Sequence, residues 1–320
     1  MDKINTHKRL DTARQTYLIG KGKLLIFALA LSQLAGCVKD DLYNTPHPDK
    51  GAVQVTTDWT GRSSDALLPD SYILRIGSGE QTVSGETNVF KPLFLPGTQS
   101  LLVYHQPEGI TINGTIATVN TLADGTLTPM PGFLFSAVKE LAIQKDDTLK
   151  VTVPMMQRIR TLKLNLMLNP GDGQRIAGTS ATLTGIAPAV DMATGSLTAT
   201  EGKTIAPVFV LTTDATLPDN SRRATDNGMS RATGIPILAA ELHLLGIAVS
   251  ATQQLTLTVT LTDGTVQAIA TDLTDALKDF SGGKLEPLQL DATLTLPSEA
   301  GFSATISDWN VVNNGDITVN

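Results

Sequence analysis

The sequence predicts an all-β protein, and three observations predict it. Apolar and polar residues alternate with period two through most of the chain. Threonine, a β-branched residue suited to half-buried strands, occurs 43 times. Turn signals built from Gly, Pro, Asn and Asp recur about every 8–15 residues. Helix evidence is thin by comparison. At 320 residues the chain has the length of two ordinary domains, so two β-sandwiches in tandem are expected.

Residues 52–59 alternate, with Val53, Val55 and Thr57 on one face. Residues 72–76, 100–104 and 148–153 are the next expected strands, and 133–143 reads equally as strand or short helix. Residues 161–168 carry Leu at every second position, which demands one buried and one wet face. The clearest hairpin joins 255–261 to 266–270 through Thr262-Asp263-Gly264-Thr265, with Asp-Gly supplying the turn. A helix is expected over 271–280, with Leu273, Leu277 and Phe280 on one face and Gly282 near its end. Strands over 285–296 and 302–319 complete the sheet material, and the polar stretch 212–233 reads as a long loop.

The N-terminus carries the most specific signal. Residues 1–23 hold six basic residues, Leu24–Leu31 is apolar, and Leu34-Ala35-Gly36-Cys37 comes next. That order reads as a secretory signal over residues 1–36, too short in its apolar part to span a bilayer. Leu34–Cys37 resembles a bacterial lipobox, which implies that Cys37 becomes the acylated first residue, carrying palmitate-type chains, of an outer-membrane lipoprotein. Residues 37–50 then form a lipidated tether, with Pro46 and Pro48 blocking a helix. Lys39-Asp40-Asp41 resembles the surface-export signal of Bacteroidetes lipoproteins, and reads equally as a solvated spacer. Two domains are expected beyond it, at 51–155 and 156–320. Losing residues 1–36 removes six basic and two acidic residues, leaving 18 and 29 and a net charge of −11. Such a chain is repelled by nucleic acid and by anionic lipid, so the acyl chains have to supply attachment.

Catalytic chemistry finds no constellation. One Cys and four His at positions 7, 47, 105 and 243 give no metal spacing and no disulfide framework. His105 and His243 lie in or beside strand-like runs, where packing is the ordinary use. No nucleophile elbow or phosphate loop occurs. The adjacent pair Asp146-Asp147 would point to opposite faces of a strand. Neither an enzyme activity nor a metal nor any other cofactor is expected. Asp147-Thr148-Leu149 resembles the O-glycosylation acceptor of Bacteroidetes, at Thr148.

Several segments in order carry a family resemblance: Cys37-Val-Lys-Asp-Asp41, Val53–Trp59, Leu95–His105, Met155–Leu166, and Ile306–Asn310 with Gly315–Val319. Together they resemble the Bacteroidales fimbrial lipoproteins, the group around the fimbrium anchor proteins. The resemblance implies two transthyretin-like β-sandwiches and a surface fimbrial subunit that binds other subunits by strand addition. It also implies a cleavage question. A shaft subunit loses its first strand after a basic residue, for which Arg62 stands in the right place, whereas an anchor keeps that strand. The anchor role is expected. A polymerising shaft or tip subunit, or adhesin, and a glycan-binding surface lipoprotein are the alternatives. The glycan-binding reading needs exposed aromatic rings, and the chain offers 2 Trp and 4 Tyr.

Overall fold

The computed structural model describes residues 49–198, 201–214, 234–282, 285–298 and 303–312. The chain is all-β. Its first half runs through β1 (Ala52–Asp58), β2 (Tyr72–Ile76), β3 (Gly79–Val83), β4 (Thr87–Val89), β5 (Gly97–Tyr104), β6 (Ile110–Asn113), β7 (Ile116–Val119), β8 (Phe135–Ile143), β9 (Thr148–Pro154) and β10 (Met156–Gln157). Its second half runs through β11 (Arg160–Leu168), β12 (Ile176–Ile186), β13 (Ala189–Asp191), β14 (Lys203–Ile205), β15 (Val210–Asp214), β16 (Ile235–Leu244), β17 (Gln254–Leu261), β18 (Val266–Asp272), β19 (Leu288–Thr295) and β20 (Thr305–Val312).

One strand order occurs twice. In the first half β1 lies between β4, antiparallel, and β9, parallel. In the second half β11 lies between β16, antiparallel, and β19, parallel. The opposing sheets match as well: β3-β2-β5-β8 in the first half has the order of β14-β12-β17-β18 in the second. The halves differ at their ends. After β9 the chain lays the two residues of β10 on β8, whereas after β19 it adds the whole of β20 to β19.

Alternation places the core. Val53 and Val55 are fully buried, as are Leu162, Leu164 and Leu166. Burying a side chain of this size stabilises the fold by about 1.5–3 kcal/mol. The buried residues form two clusters. One holds Val53, Val55, Leu74, Leu101, Phe135 and Val153 among others. The other is built mainly on β11, β12, β16, β17 and β19. The chain passes from the first to the second between Met155 and Ile159. The division is not simply sequential, because Leu102, Tyr104, Ile110, Ala117, Val119, Leu127 and Leu134 pack in the second cluster. The β6–β7 hairpin joins β13 in a small sheet of its own, which ties this excursion to the second half.

Two local expectations change. The helix expected over 271–280 shrinks to one turn, Thr274–Leu277, because Thr271 and Asp272 remain in the ladder opposite Leu255 and Gln254. Asp272 then accepts the Thr274 N–H at 2.8 Å and starts the turn. Leu273, Leu277 and Phe280 are buried together, as their spacing requires. Residues 135–143 are strand, paired along their length with β5. In the Asp263-Gly264 turn only Gly264 takes positive φ, at 85°, while Leu261 N–H donates to Thr265 O at 2.8 Å. Residues 212–214 of the expected loop are strand, the end of β15, and its remaining positions 215–233, with the end of the last expected strand, 313–319, lie outside the described residues.

His105 sits buried against Phe135, ring centroids 5.8 Å apart, and its Nδ1 has no partner among the described residues. Burial holds its pKa below the ordinary value of 6.5, with the Phe133 and Phe135 backbone carbonyls, as acceptors for the ring, acting the other way. The unfolded chain therefore binds a proton near pH 6.5 that the folded chain refuses until lower pH, and stability falls across that window. His105→Phe removes this contribution. Urea melts from pH 7 to 5 should show the variant gaining on the parent as the pH drops; parallel curves would contradict a buried neutral imidazole.

Candidate assembly site

The chemistry-bearing part of the first half is β1 and its surroundings. All seven of its residues pair with β9, from Ala52↔Thr148 to Asp58↔Pro154. Gln54, Val55 and Thr56 also pair with β4. The start of the strand is fixed by Gly51, which exchanges two hydrogen bonds with Phe94 at 2.8 and 2.9 Å. A Cβ at Gly51 would lie 2.2 Å from the Gln144 carbonyl oxygen, so only glycine fits. The end of the strand is fixed by Met155 N–H, which donates to Asp58 O at 2.8 Å. Trp59 packs edge-on against Tyr72 and Phe135, and its Nε1 donates to Thr57 Oγ1 at 2.8 Å.

Beyond Trp59 the chain turns into a polar cluster. Arg62 is exposed and its guanidinium donates to Ala66 O at 2.7 Å. The next residue, Ser63, is 2% exposed. Its N–H donates to Gln157 Oε1 at 2.8 Å, its hydroxyl accepts from Gln157 Nε2 at 2.9 Å and donates to Asp65 at 2.6 Å. Asp65 also accepts the Thr161 hydroxyl. Ser64 donates its hydroxyl to Glu286 at 2.6 Å. Gln157 and Thr161 are as buried as Ser63. The sequence marks Arg62 but not the cluster. Its partners lie 94 to 222 positions apart, and no local pattern announces them.

Thr148 is exposed at the opposite end of β1, opposite Ala52, and its N–H is held by the Asp147 carboxylate at 2.7 Å. Arg62 and Thr148 therefore flank β1 rather than meet. Cys37, Lys39, Asp40 and Asp41 lie outside the described residues. A local signal that the sequence did offer is the Asp-x-Thr turn. Asp58, Asp124, Asp263 and Asp272 each accept the N–H of the Thr two residues on. Those bonds, with the threonine hydroxyls, hold all four carboxyls below the usual range.

Strand edges are the other chemistry a sheet protein offers, since each carries unpaired N–H and C=O groups. The outer edge of β9 is blunted: Asp147 caps Thr148, Lys150 is exposed at the middle, and Pro154 has no N–H. β19 is covered by β20. β15 differs. Among the described residues it pairs with β16 alone, and Val208, Val210 and Leu211 around it are 69%, 61% and 46% exposed. Leu211, Thr213, Ile235, Pro236 and Gly173 line a groove beside it. Trp309 is half-buried, its Nε1 donating to Thr271 Oγ1 at 3.0 Å. Among the described residues no three His, Cys, Asp or Glu side chains cluster as a metal would require, and no helix is long and apolar enough to cross a membrane.

Solved structures share this fold at low identity. A candidate adhesin from Bacteroides thetaiotaomicron superposes with a TM-score of 0.55 at 14% identity, covering 83% of this chain and 98% of that one. The fimbrial anchor protein Mfa2 from Porphyromonas gingivalis gives 0.53 at 8% identity, over 82% and 97%. A candidate adhesin from Bacteroides ovatus gives 0.51 at 11%, over 87% and 98%. No curated protein sequence matches the chain. Residues 48–315 match a family as a whole, and by that match the chain belongs to the Fimbrillin-A associated anchor proteins Mfa1 and Mfa2.

Proposed function

We propose that this fimbrium-associated surface protein is the membrane-anchored subunit at which a fimbrium ends. Its lipid is carried on Cys37, and Lys39-Asp40-Asp41 directs it to the cell exterior. The observation that carries the reading is the state of β1. Val53 and Val55 fill the first core and every residue of the strand is paired, so no groove stands open for a donated strand. Removing β1 would need cleavage after Arg62. That bond enters Ser63, which is buried and hydrogen-bonded through both its N–H and its hydroxyl, whereas proteases favour exposed, yielding loops. In this reading the two halves, 51–155 and 156–320, are transthyretin-like domains, with residues 105–134 reaching across.

Partner subunits join by strand addition at a remaining edge. The C-terminal stretch is partly used already, since Thr305–Val312 forms six pairs with β19 in its own sheet. β15 is the better acceptor. It presents apolar side chains beside a backbone edge that has no ladder partner among the described residues, and carries no Lys or Arg to block pairing. A sugar modification on Thr148 would cap the far end of the first half and leave this edge free.

Three measurements test the reading. Cys37→Ala should lose metabolic labelling by a clickable fatty acid and leave the membrane fraction; equal labelling and retention would refute lipidation. Mature protein from cells with their native proteases should begin at acylated Cys37, and an N-terminus at Ser63 would make the chain a polymerising subunit. Val210→Lys should reduce recovery of neighbouring fimbrial subunits with the purified chain by tenfold or more, given about 1.4 kcal/mol per factor of ten. Unchanged recovery would remove β15 from the interface.

A further inference from the structure

The polar cluster stands where the first strand leaves its sheet. Ser63, Ser64 and Asp65 come a few residues after Asp58, yet their partners lie at the junction with the second half. Gln157 bonds Ser63 and passes its second N–H to Ile159 O at 2.7 Å. Thr161, bonded to Asp65, is the second residue of β11. Glu286, bonded to Ser64, stands two residues before β19, and its backbone carbonyl accepts Arg160 Nε at 2.7 Å. Arg160 reaches on to Phe280 O at 2.9 Å. Two of the cluster's acceptors are carboxylates, and hydrogen bonds to ionised acceptors are about twice as strong as neutral ones.

β1 runs parallel to β9, and the two strands end together at Asp58 and Pro154, on the side where the chain enters the second half. A pull on the start of β1, directed away from the second half, therefore acts along the strand. Its seven pairs with β9 and three with β4 are loaded in shear and have to slip together. Once they slip, only the residues between Lys50 and Ser63 are free to lengthen.

We infer that residues 63–65 are a mechanical latch that carries tension from β1 directly into β11 and β19, leaving residues 67–156 out of the line of load. That the pull comes from a membrane rests on the proposed acylation of Cys37; the latch itself needs no lipid. A fimbrial subunit under drag then keeps residues 67–156 unstretched even when its first strand has been drawn out. Without the latch, the 94 positions that separate Ser63 from Gln157 would unravel instead.

The test is force spectroscopy on the full chain carrying Cys37→Ser, with handles at Lys50→Cys and Lys163→Cys, so that the second core is not loaded. The parent should lengthen in two steps. The first is about 20 Å, because β1 already spans about 23 Å of the roughly 45 Å of chain from Lys50 to Ser63, and the second about 300 Å, at about 3.3–3.6 Å per residue. Asp65→Ala should lower the force of the second step until the two merge into one of about 320 Å. Glu286→Ala removes the exposed tie and should lower that force in a chain whose far-ultraviolet circular dichroism is unchanged, so it decides the matter if Asp65→Ala fails to fold. A single long step in the parent, or an unchanged second force in Glu286→Ala, overturns the latch. Absence of fatty-acid labelling from the chain with its native Cys37, with both steps intact, would overturn the anchor reading and leave the latch standing.

Discussion

The first half depends on the parallel ladder between β1 and β9. β1 is the central strand of its sheet, yet it is also the first of the described strands. Its two buried valines contribute about 1.5–3 kcal/mol each. Its backbone satisfies the facing edges of both β4 and β9, which would otherwise be left open. Trp59, Tyr72 and Phe135 close the end of the core that it enters. The first described strand is thus the one that the sheet can least spare.

The recurrence of one strand order makes the two halves informative about each other. Each places its first strand between an antiparallel and a parallel neighbour, so each leaves the parallel neighbour with an outer edge. The second half covers that edge with β20. Among the described residues the first half leaves it uncovered and blunts it with Lys150, Pro154 and the Asp147 cap. Among the same residues β15, at the far edge of the second half's larger sheet, has neither protection. Solvent-facing valines on an unprotected edge are an aggregation hazard unless a partner covers them, which fits a chain that works in an assembly.

Much of the fold was legible because a strand with one wet face writes its period into the sequence. Val53-x-Val55-x-Thr57, the leucines of 162–168 and the hairpin at Asp263-Gly264 needed nothing beyond alternation and turn chemistry. β12 was not legible and β16 only as a strand-like run at His243. Ile176–Ile186 holds two glycines, and Ile235–Leu244 is rich in Ala and Leu, which favour helix; ladders with β17 and β11 override both preferences. The helix expected at 271–280 failed likewise, its first residues being held in a hairpin.

The sequence alone determined the all-β class, the buried face of each strong strand and the family. Those properties depend on neighbours along the chain, where side-chain period, turn residues and motif order are written. Tertiary structure decided which strands pair, that β1 runs parallel to β9, that residues 110–127 pack with the second core, and that Ser63 is buried beside an exposed Arg62. Each joins residues tens to hundreds of positions apart. Backbone hydrogen bonds are the same for every residue type, so the partner across a ladder is chosen by how whole faces bury together, and only the folded chain brings those faces into contact.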